Sequence, residues 1–363
     1  MQAFDAELSL PLASMSHALQ RLLARAVKRL VVDFPHWFTA VNHRLHWAYL
    51  LSFVVLGGWA WWRHYRRPAA GGLKPLVKFL FPANVYLHPS ALLDYQLLLA
   101  NRVLGPASWL GSLLFGSASV AAVAHATQLG VAERAGVSFT PGHWTFVSAL
   151  GFALTMTVAR DFVTFLTHLA HHRVPLLWEF HKVHHSAEVL TPLTVFRKHP
   201  LYNVCEHGMN IALIGPLQGL IALGFVGHAP PVTLFGANIV FALFHLAGAN
   251  LRHSHVWWSF GPLVSHVFSS PAQHQIHHSK APAHADKNFG EVFALWDWLC
   301  GTLYVPGREP EALQFGLAGE GAREHRSLWR LYIQPFINCA ALLRPARVVA
   351  PTPMAARTPV IRK

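Results

Sequence analysis

Charge is scarce in this chain. Only 12% of its 363 residues are Asp, Glu, Lys or Arg, against roughly 25% in an ordinary soluble protein. With 53% hydrophobic residues and 13 Trp, the balance excludes a typical water-soluble domain and points to a membrane protein. Cysteine is scarcer still: Cys205, Cys300 and Cys339 are scattered and form no CxxC. That excludes a disulfide framework, a zinc ribbon and a cysteine-bound iron–sulfur cluster. Acidic residues number 16 against 29 Lys and Arg, a net charge of +13. No Lys/Arg stripe or RNA-binding motif accompanies that excess, so nucleic acid is not an expected partner. The basic residues read instead as cytoplasmic flanks facing anionic lipid. The first residues hold Asp5 and Glu7 and no basic run before an apolar core, so a cleaved signal peptide is not expected.

Histidine is what the chain has in excess, 26 residues in all. Three clusters stand out: His168-Leu-Ala-His-His172, His181-Lys-Val-His-His185 and His274-Gln-Ile-His-His278. The last two are near copies, ending at Ser186 and Ser279. Neutral imidazole is the commonest protein ligand for transition metals and suits iron, zinc and copper. Residues three and four apart on a helix share a face. His181, His184 and His185 are therefore expected in one arc, as are His274, His277 and His278, with His168 and His172 as an i,i+4 pair. Eight imidazoles exceed what one tetrahedral ion can use. A two-metal site is the reading. The extra His171 competes with His172 in the first cluster, although the spacing favours His168 with His172.

The apolar runs organise the rest. Residues 15–32 read as a basic amphipathic helix on a membrane surface, within an N-terminal segment 1–45. Apolar runs follow at 47–62, 107–126, 144–166, 208–226 and 232–249. The first is short of the roughly 20 residues a full span needs and is read as shallow or re-entrant. A polar loop holding Glu133 and Arg134 is expected between 107–126 and 144–166. An even number of crossings separates the second and third clusters, so all three can meet on one side. Arg63, Arg66, Arg67, Lys74, Lys78 and Arg102 fall on that side, which makes it cytoplasmic. The expected fold is all-α: a polytopic membrane protein with about four to five transmembrane helices and a histidine-lined cytoplasmic cap. The catalytic unit is expected at 46–306. A C-terminal extension at 307–363 ends in a basic tail read as disordered.

The clusters and their flanks together resemble the sterol desaturase/fatty acid hydroxylase superfamily of membrane-bound di-iron oxygenases. The resemblance covers roughly residues 83–306. It rests on His88-Pro-Ser90 with Asp94, Asp161 through His168, Pro175, Leu177-Trp178, Phe180-His181 and His184-His185-Ser186. Further matches are Arg197-Lys-His199-Pro200, Asn250-Leu-Arg-His-Ser-His255, Ser270 through the third cluster, Asn288-Phe-Gly290, Trp296-Asp297 and Gly301-Thr302. The resemblance implies two iron ions held by His168, His172, His181, His184, His185, His274, His277 and His278. It adds His255, at the family's usual position before the third cluster, with His253 ranked below it. His171, His199, His253, Asp161 and Asp297 are further candidates, as ligands or as partners that orient a ligand's other ring nitrogen.

The implied activity is O₂-dependent hydroxylation or desaturation at an unactivated C–H bond of a membrane lipid, sterol-like, fatty-acyl or related. The chain has no GxGxxG fingerprint or CxxCH haem motif. An external electron donor of ferredoxin or cytochrome type is therefore expected. Zinc accepts imidazole too and can replace iron in a purified sample. A histidine-rich zinc or copper transporter and a membrane zinc hydrolase are the rival readings, Glu179 being the close candidate for a hydrolytic base. Metal retention is expected to fail as pH drops through the imidazole range near ~6.5.

Overall fold

The computed structural model describes residues 34–40, 43–65, 73–104, 117–136, 145–225, 239–319 and 324–344, besides Gln20, Ala24, Val27 and Lys28. The expected amphipathic helix at 15–32 and the basic tail therefore lie largely or wholly outside the described residues. Among the described residues the protein is helical and forms no sheet. Its extended pairing is limited to two isolated bridges, Phe268 with Phe293 and Ser279 with Phe315.

Helix α1 (Trp47–Ala60) ends in a π turn at Trp61–Tyr65. Helix α2 (Leu73–Leu80) folds back along it, Leu80 and Leu76 lying against Gly57 and Gly58. Helices α3 (Pro89–Leu104) and α4 (Ser117–Ala135) follow. Glu133 and Arg134 belong to the last turn of α4 and not to a loop, because the helix runs on past the apolar stretch.

Helix α5 (Phe146–Arg173) is the longest, at 28 residues. Its start is fixed by a capping box, the Thr145 and Ser148 side chains each accepting the other's backbone N–H. Phe146, Leu150, Leu154, Val158 and Phe162 form an exposed apolar stripe at four-residue spacing, while Phe152, Met156 and Val163 are buried. So long an exposed apolar stripe fits a lipid environment better than water. At 1.5 Å per residue α5 spans about 42 Å, more than the roughly 30 Å hydrocarbon core. Among the described residues it is the one helix long and apolar enough to cross a membrane.

Helices α7 (Pro200–Met209) and α8 (Gly215–Gly224) run continuously through a π segment, Asn210–Ile214. Gly215 and Gly219 let α8 lie directly on α4. A Cβ at Gly219 would meet the Ala124 carbonyl oxygen at 2.4 Å, and one at Gly215 would meet Val123 at 2.8 Å. Such small-residue spacing is how helices approach closely in lipid. Of the expected run at 232–249, the described part is helix α9 (Ile239–Leu246).

The remaining elements build a cap on the end of α5. Helix α6 (Pro175–His185), α10 (Pro271–His277) and α11 (Leu295–Cys300) are short. Helix α12 (Leu328–Leu342) packs its Leu331 against Leu93, Leu97 and Val183, buttressing α6 from behind.

Candidate metal centre

The site begins at the break between α5 and α6. Val174 ends one helix and caps the next, and Pro175 stands at the first position of α6. Proline lacks the N–H that would continue α5, but its fixed φ suits a helix start. The chain folds back within one residue, so His168 and His172 face His181 and His185. Helix α10 starts the same way, with Pro271 first and a Ser270–Gln273 capping box. His253 enters from the turn after a 3₁₀ segment, Ala249–Leu251, whose preceding Gly248 has φ 108°.

These segments bring nine imidazoles into two groups. His168, His172, His181, His185 and His277 form the first, and His184, His253, His274 and His278 the second. Within each group the ligand-capable nitrogens lie within 4.8 Å of one another. The two abut: the His185 and His278 rings stack at 4.6 Å. The two near-copy clusters divide reciprocally. His181 and His185 serve the first group while His184 crosses to the second; His274 and His278 serve the second while His277 crosses to the first.

The donor set fits metal ions. Nε2 atoms face each other at 3.1 Å (His168–His181), 3.2 Å (His181–His185), 3.2 Å (His184–His253), 3.0 Å (His253–His274) and 3.2 Å (His274–His278). A neutral imidazole has one N–H, so rings converging in such numbers cannot all satisfy one another. His172 Nε2 and His277 Nε2 are buried without a hydrogen-bond partner. Nitrogens about 2.1 Å from one ion lie ~3.0 Å apart at right angles and ~3.4 Å apart at the tetrahedral angle. The observed spacings, 3.0–3.2 Å, fall within this range. A group of five also exceeds the four ligands of a structural zinc site.

Backbone oxygens fix which nitrogen faces inward. His168 Nδ1–H donates to the Phe289 carbonyl at 2.8 Å, and His277 Nδ1–H to that of Lys287 at 2.8 Å. Each bond leaves Nε2 as the free lone pair. Burial, the largest cause, keeps the imidazoles of His181, His184, His253, His274, His277 and His278 neutral well below their ordinary range, and that of His185 down to about 3. Neutral rings are what a metal requires. Loss of metal is therefore expected well below pH 6.5, and not at that value as for free imidazole.

The geometry reverses the expected order of His253 and His255. His253 lies between His184 and His274, whereas His255 Nε2 donates to the Phe79 carbonyl at 2.6 Å. His255 instead lines a cavity of about 560 Å³ with His88, Ser186, Glu188, Lys280 and Arg326. His171 is a member of neither group: its Nδ1 donates to the Thr167 carbonyl, and its ring packs on Tyr202 at 4.4 Å, 5.8 Å from the His181 ring. His199 caps α7, its Nδ1 accepting from Leu201 N–H and its Nε2 donating to the Tyr332 carbonyl. Asp161 reaches no imidazole and pairs with neither Arg160 nor Arg173. It accepts from the backbone of Val292 and Phe293 and from Trp296 Nε1. Asp297 accepts from the backbone of Phe289 and Gly290 and from the Thr302 hydroxyl, so it holds the loop that carries the Phe289 carbonyl. Glu179 engages Lys182 at 2.5 Å and Asn338 at 2.8 Å, a poor position for a hydrolytic base.

Two participants carried no metal-ligand signal in the sequence. Arg252 is buried, donates to the Glu291 and Gly290 carbonyls and reaches His274 Nδ1 at 3.2 Å. Arg197, in one of the family-like segments, is 1% exposed and pairs with the fully buried Asp94 at 2.7 Å. It also donates to the Val183 carbonyl and the Ser186 hydroxyl, tying α3 to the end of α6 where His184 and His185 stand.

Residues 153–302 match the model of the fatty acid hydroxylase family. An ornithine lipid hydroxylase of Rhizobium tropici is 33% identical over 186 residues, covering 51% of this chain and 50% of that protein. An alkylglycerol monooxygenase of Caenorhabditis elegans is 28% identical over 160 residues, 44% of this chain and 27% of its own length. The human cholesterol 25-hydroxylase is 31% identical over 159 residues, 41% of this chain and 50% of its own. The matched stretch thus spans half or less of each relative. No solved structure matches the chain. The matched region contains all nine converging imidazoles, and over it the chain is similar to the fatty acid hydroxylase family and to these lipid hydroxylases and monooxygenases.

Proposed function

We propose that this protein hydroxylates an unactivated C–H bond in a long-chain membrane lipid, with two iron ions as cofactor and O₂ as co-substrate. The observation that carries the reading is the convergence of nine buried imidazoles in two adjoining groups. His168, His172, His181, His185 and His277 would hold one ion, and His184, His253, His274 and His278 the other. A bound iron pair would supply O₂ activation and the oxidising power for C–H cleavage.

The chain's own residues do the positioning. The Phe289 and Lys287 carbonyls hold His168 and His277 with Nε2 inward. Trp178, its ring centroid 4.9 Å from that of His172, and the buried Phe289 give the first group an apolar border that excludes water. The length of α5 supports a site just beyond the hydrocarbon layer, where an alkyl chain enters from the bilayer. The basic residues flanking α1, α2 and α3 support a cytoplasmic placement, within reach of a ferredoxin- or cytochrome-type donor. Hydroxylation is preferred to desaturation because the relatives named above are hydroxylases and monooxygenases. The transporter and zinc-hydrolase readings have no comparable support.

The test is lipid analysis of cells expressing the chain under ¹⁸O₂. A lipid gaining one labelled oxygen, absent from cells expressing His184→Ala or His277→Ala, supports the proposal. A −2 mass change would replace hydroxylation by desaturation. An unchanged lipid profile, with both groups loaded with iron and a donor supplied, would refute it.

A further inference from the structure

Resting on the reading that both groups hold metal, we propose that the two centres bind their ions with unequal affinity. The five-imidazole centre holds its ion at least tenfold more tightly, and the 286–290 loop is the device that makes the difference. The two near-copy clusters contribute equally, three imidazoles to each centre. The asymmetry comes from what is added. Helix α5 brings two rings to the first centre, His168 and His172, and the second gains only His253.

The groups behind the rings widen the gap. The loop Asp286-Lys-Asn-Phe-Gly290 serves three of the first centre's five imidazoles. The Lys287 carbonyl accepts from His277 Nδ1–H, the Phe289 carbonyl accepts from His168 Nδ1–H, and the Asp286 carboxylate lies 4.0 Å from His172 Nδ1. The loop is held rigidly enough to do this. Asp286 and Asn288 sit in the left-handed region at φ 55° and 60°, which short polar residues tolerate. The Asn288 side chain donates to the Gln273 carbonyl and accepts from Tyr304 N–H. Asp297 takes the backbone N–H groups of Phe289 and Gly290. A Cβ at Gly290 would meet the Phe293 carbonyl oxygen at 2.3 Å, so only glycine fits.

The second centre is backed differently. His274 Nδ1 faces the Arg252 guanidinium at 3.2 Å, while an outer nitrogen buried without a partner occurs once in each centre, at His184 and at His181. An oxygen acceptor on the outer nitrogen makes a ring a better donor to a cation. A guanidinium there does the reverse. Losing one such outer partner typically changes metal affinity about 10–100-fold. The first centre is thus suited to keep its ion and the second to exchange it.

The experiment is an anaerobic titration of the detergent-solubilised apo chain with ferrous iron, against a competing chelator, with bound iron counted after gel filtration. Wild type should take up two ions in two steps separated by at least about tenfold. His168→Ala should weaken the tight step and His253→Ala the weak one. Asp286→Asn, which keeps a residue suited to φ 55° and leaves the second centre untouched, should weaken the tight step by up to about tenfold. Two ions taken up in a single step would overturn the proposal while leaving the metal reading intact. So would Asp286→Asn weakening both steps equally, or His253→Ala acting on the tight step. Wild type binding no ferrous iron would overturn the metal reading itself.

Discussion

His253 and His255 stand two residues apart, and the structure gives them opposite fates. The perturbation is His253→Ala beside His255→Ala. Four-ligand structural zinc sites bind with roughly 10–16 kcal/mol, or about 2.5–4 kcal/mol per ligand. That corresponds to about two to three decades in affinity. His253 Nε2 lies 3.2 Å from that of His184 and 3.0 Å from that of His274, so removing it should cost the second centre most of that amount. His255 bonds the Phe79 carbonyl and edges onto the Phe79 ring at 5.5 Å. Its removal should cost about 1 kcal/mol of stability and no metal. The assay is iron per chain by elemental analysis after a fixed chelator challenge. His253→Ala should retain about one ion fewer than wild type and His255→Ala the wild-type content. Metal loss in His255→Ala with full retention in His253→Ala would refute the assignment and restore the order that the family resemblance implied.

Replacing Arg197 by Leu leaves Asp94 buried without its partner. Breaking a buried pair costs about 3–5 kcal/mol, so Tm should fall by roughly 4–7 °C. The Asp94→Asn/Arg197→Leu double variant should recover part of that, and an unchanged Tm in the single variant would contradict the role given to the pair. The pH dependence has a definite sign. Burial lowers the folded-state pKa of the cap imidazoles, reaching about 3 at His185, while the unfolded chain titrates near ~6.5. Between those values the unfolded state holds more protons, so the apo protein loses stability as pH falls. Apo Tm should be lower at pH 5 than at pH 7.5, yet loaded protein should keep its metal through pH 6.5; a flat apo profile would count against neutral burial. At the α4–α8 contact, Gly219→Ala should push the helices apart and cost about 1–3 kcal/mol. Gly208→Ala meets nothing within 4 Å and should be neutral or slightly stabilising; equal thermal shifts in the two would refute the close-packing reading.

What the sequence disclosed and what it withheld divide along physical lines. The helical class and eight of the nine converging imidazoles were legible, because i,i+4 spacing and proline-initiated helices are local properties. Which of His253 and His255 turns inward depends on Gly248 at φ 108° and the 3₁₀ turn after it, a tertiary choice that spacing cannot encode. The carbonyls of Lys287 and Phe289 were invisible for another reason: a backbone acceptor has no side-chain signature. Its trace is indirect, in two turn-forming residues, Asp286 and Asn288, just ahead of a Gly290 with no room for a side chain. Glu133 and Arg134 misled in the opposite sense, since two charges after an apolar run do not end a helix, which here continues to Ala135.

The reading of each HxxHH cluster as one arc also needed geometry to correct it. At about 100° per residue, positions i and i+4 lie ~40° apart, whereas i+3 lies ~60° to the other side. One ion can be gripped by the i,i+4 pair, but the i+3 ring is swung away by ~100° from its i+4 neighbour. His184 and His277 are those displaced rings, and each reaches the group gripped by the opposite cluster. A single HxxHH helix therefore leaves one imidazole unused at a single ion. Two such helices facing each other use all six, and only if there are two centres. The repeat is itself an argument for a pair of metal ions, independent of any relative. The pair from α5 and His253 then make the two centres different from each other.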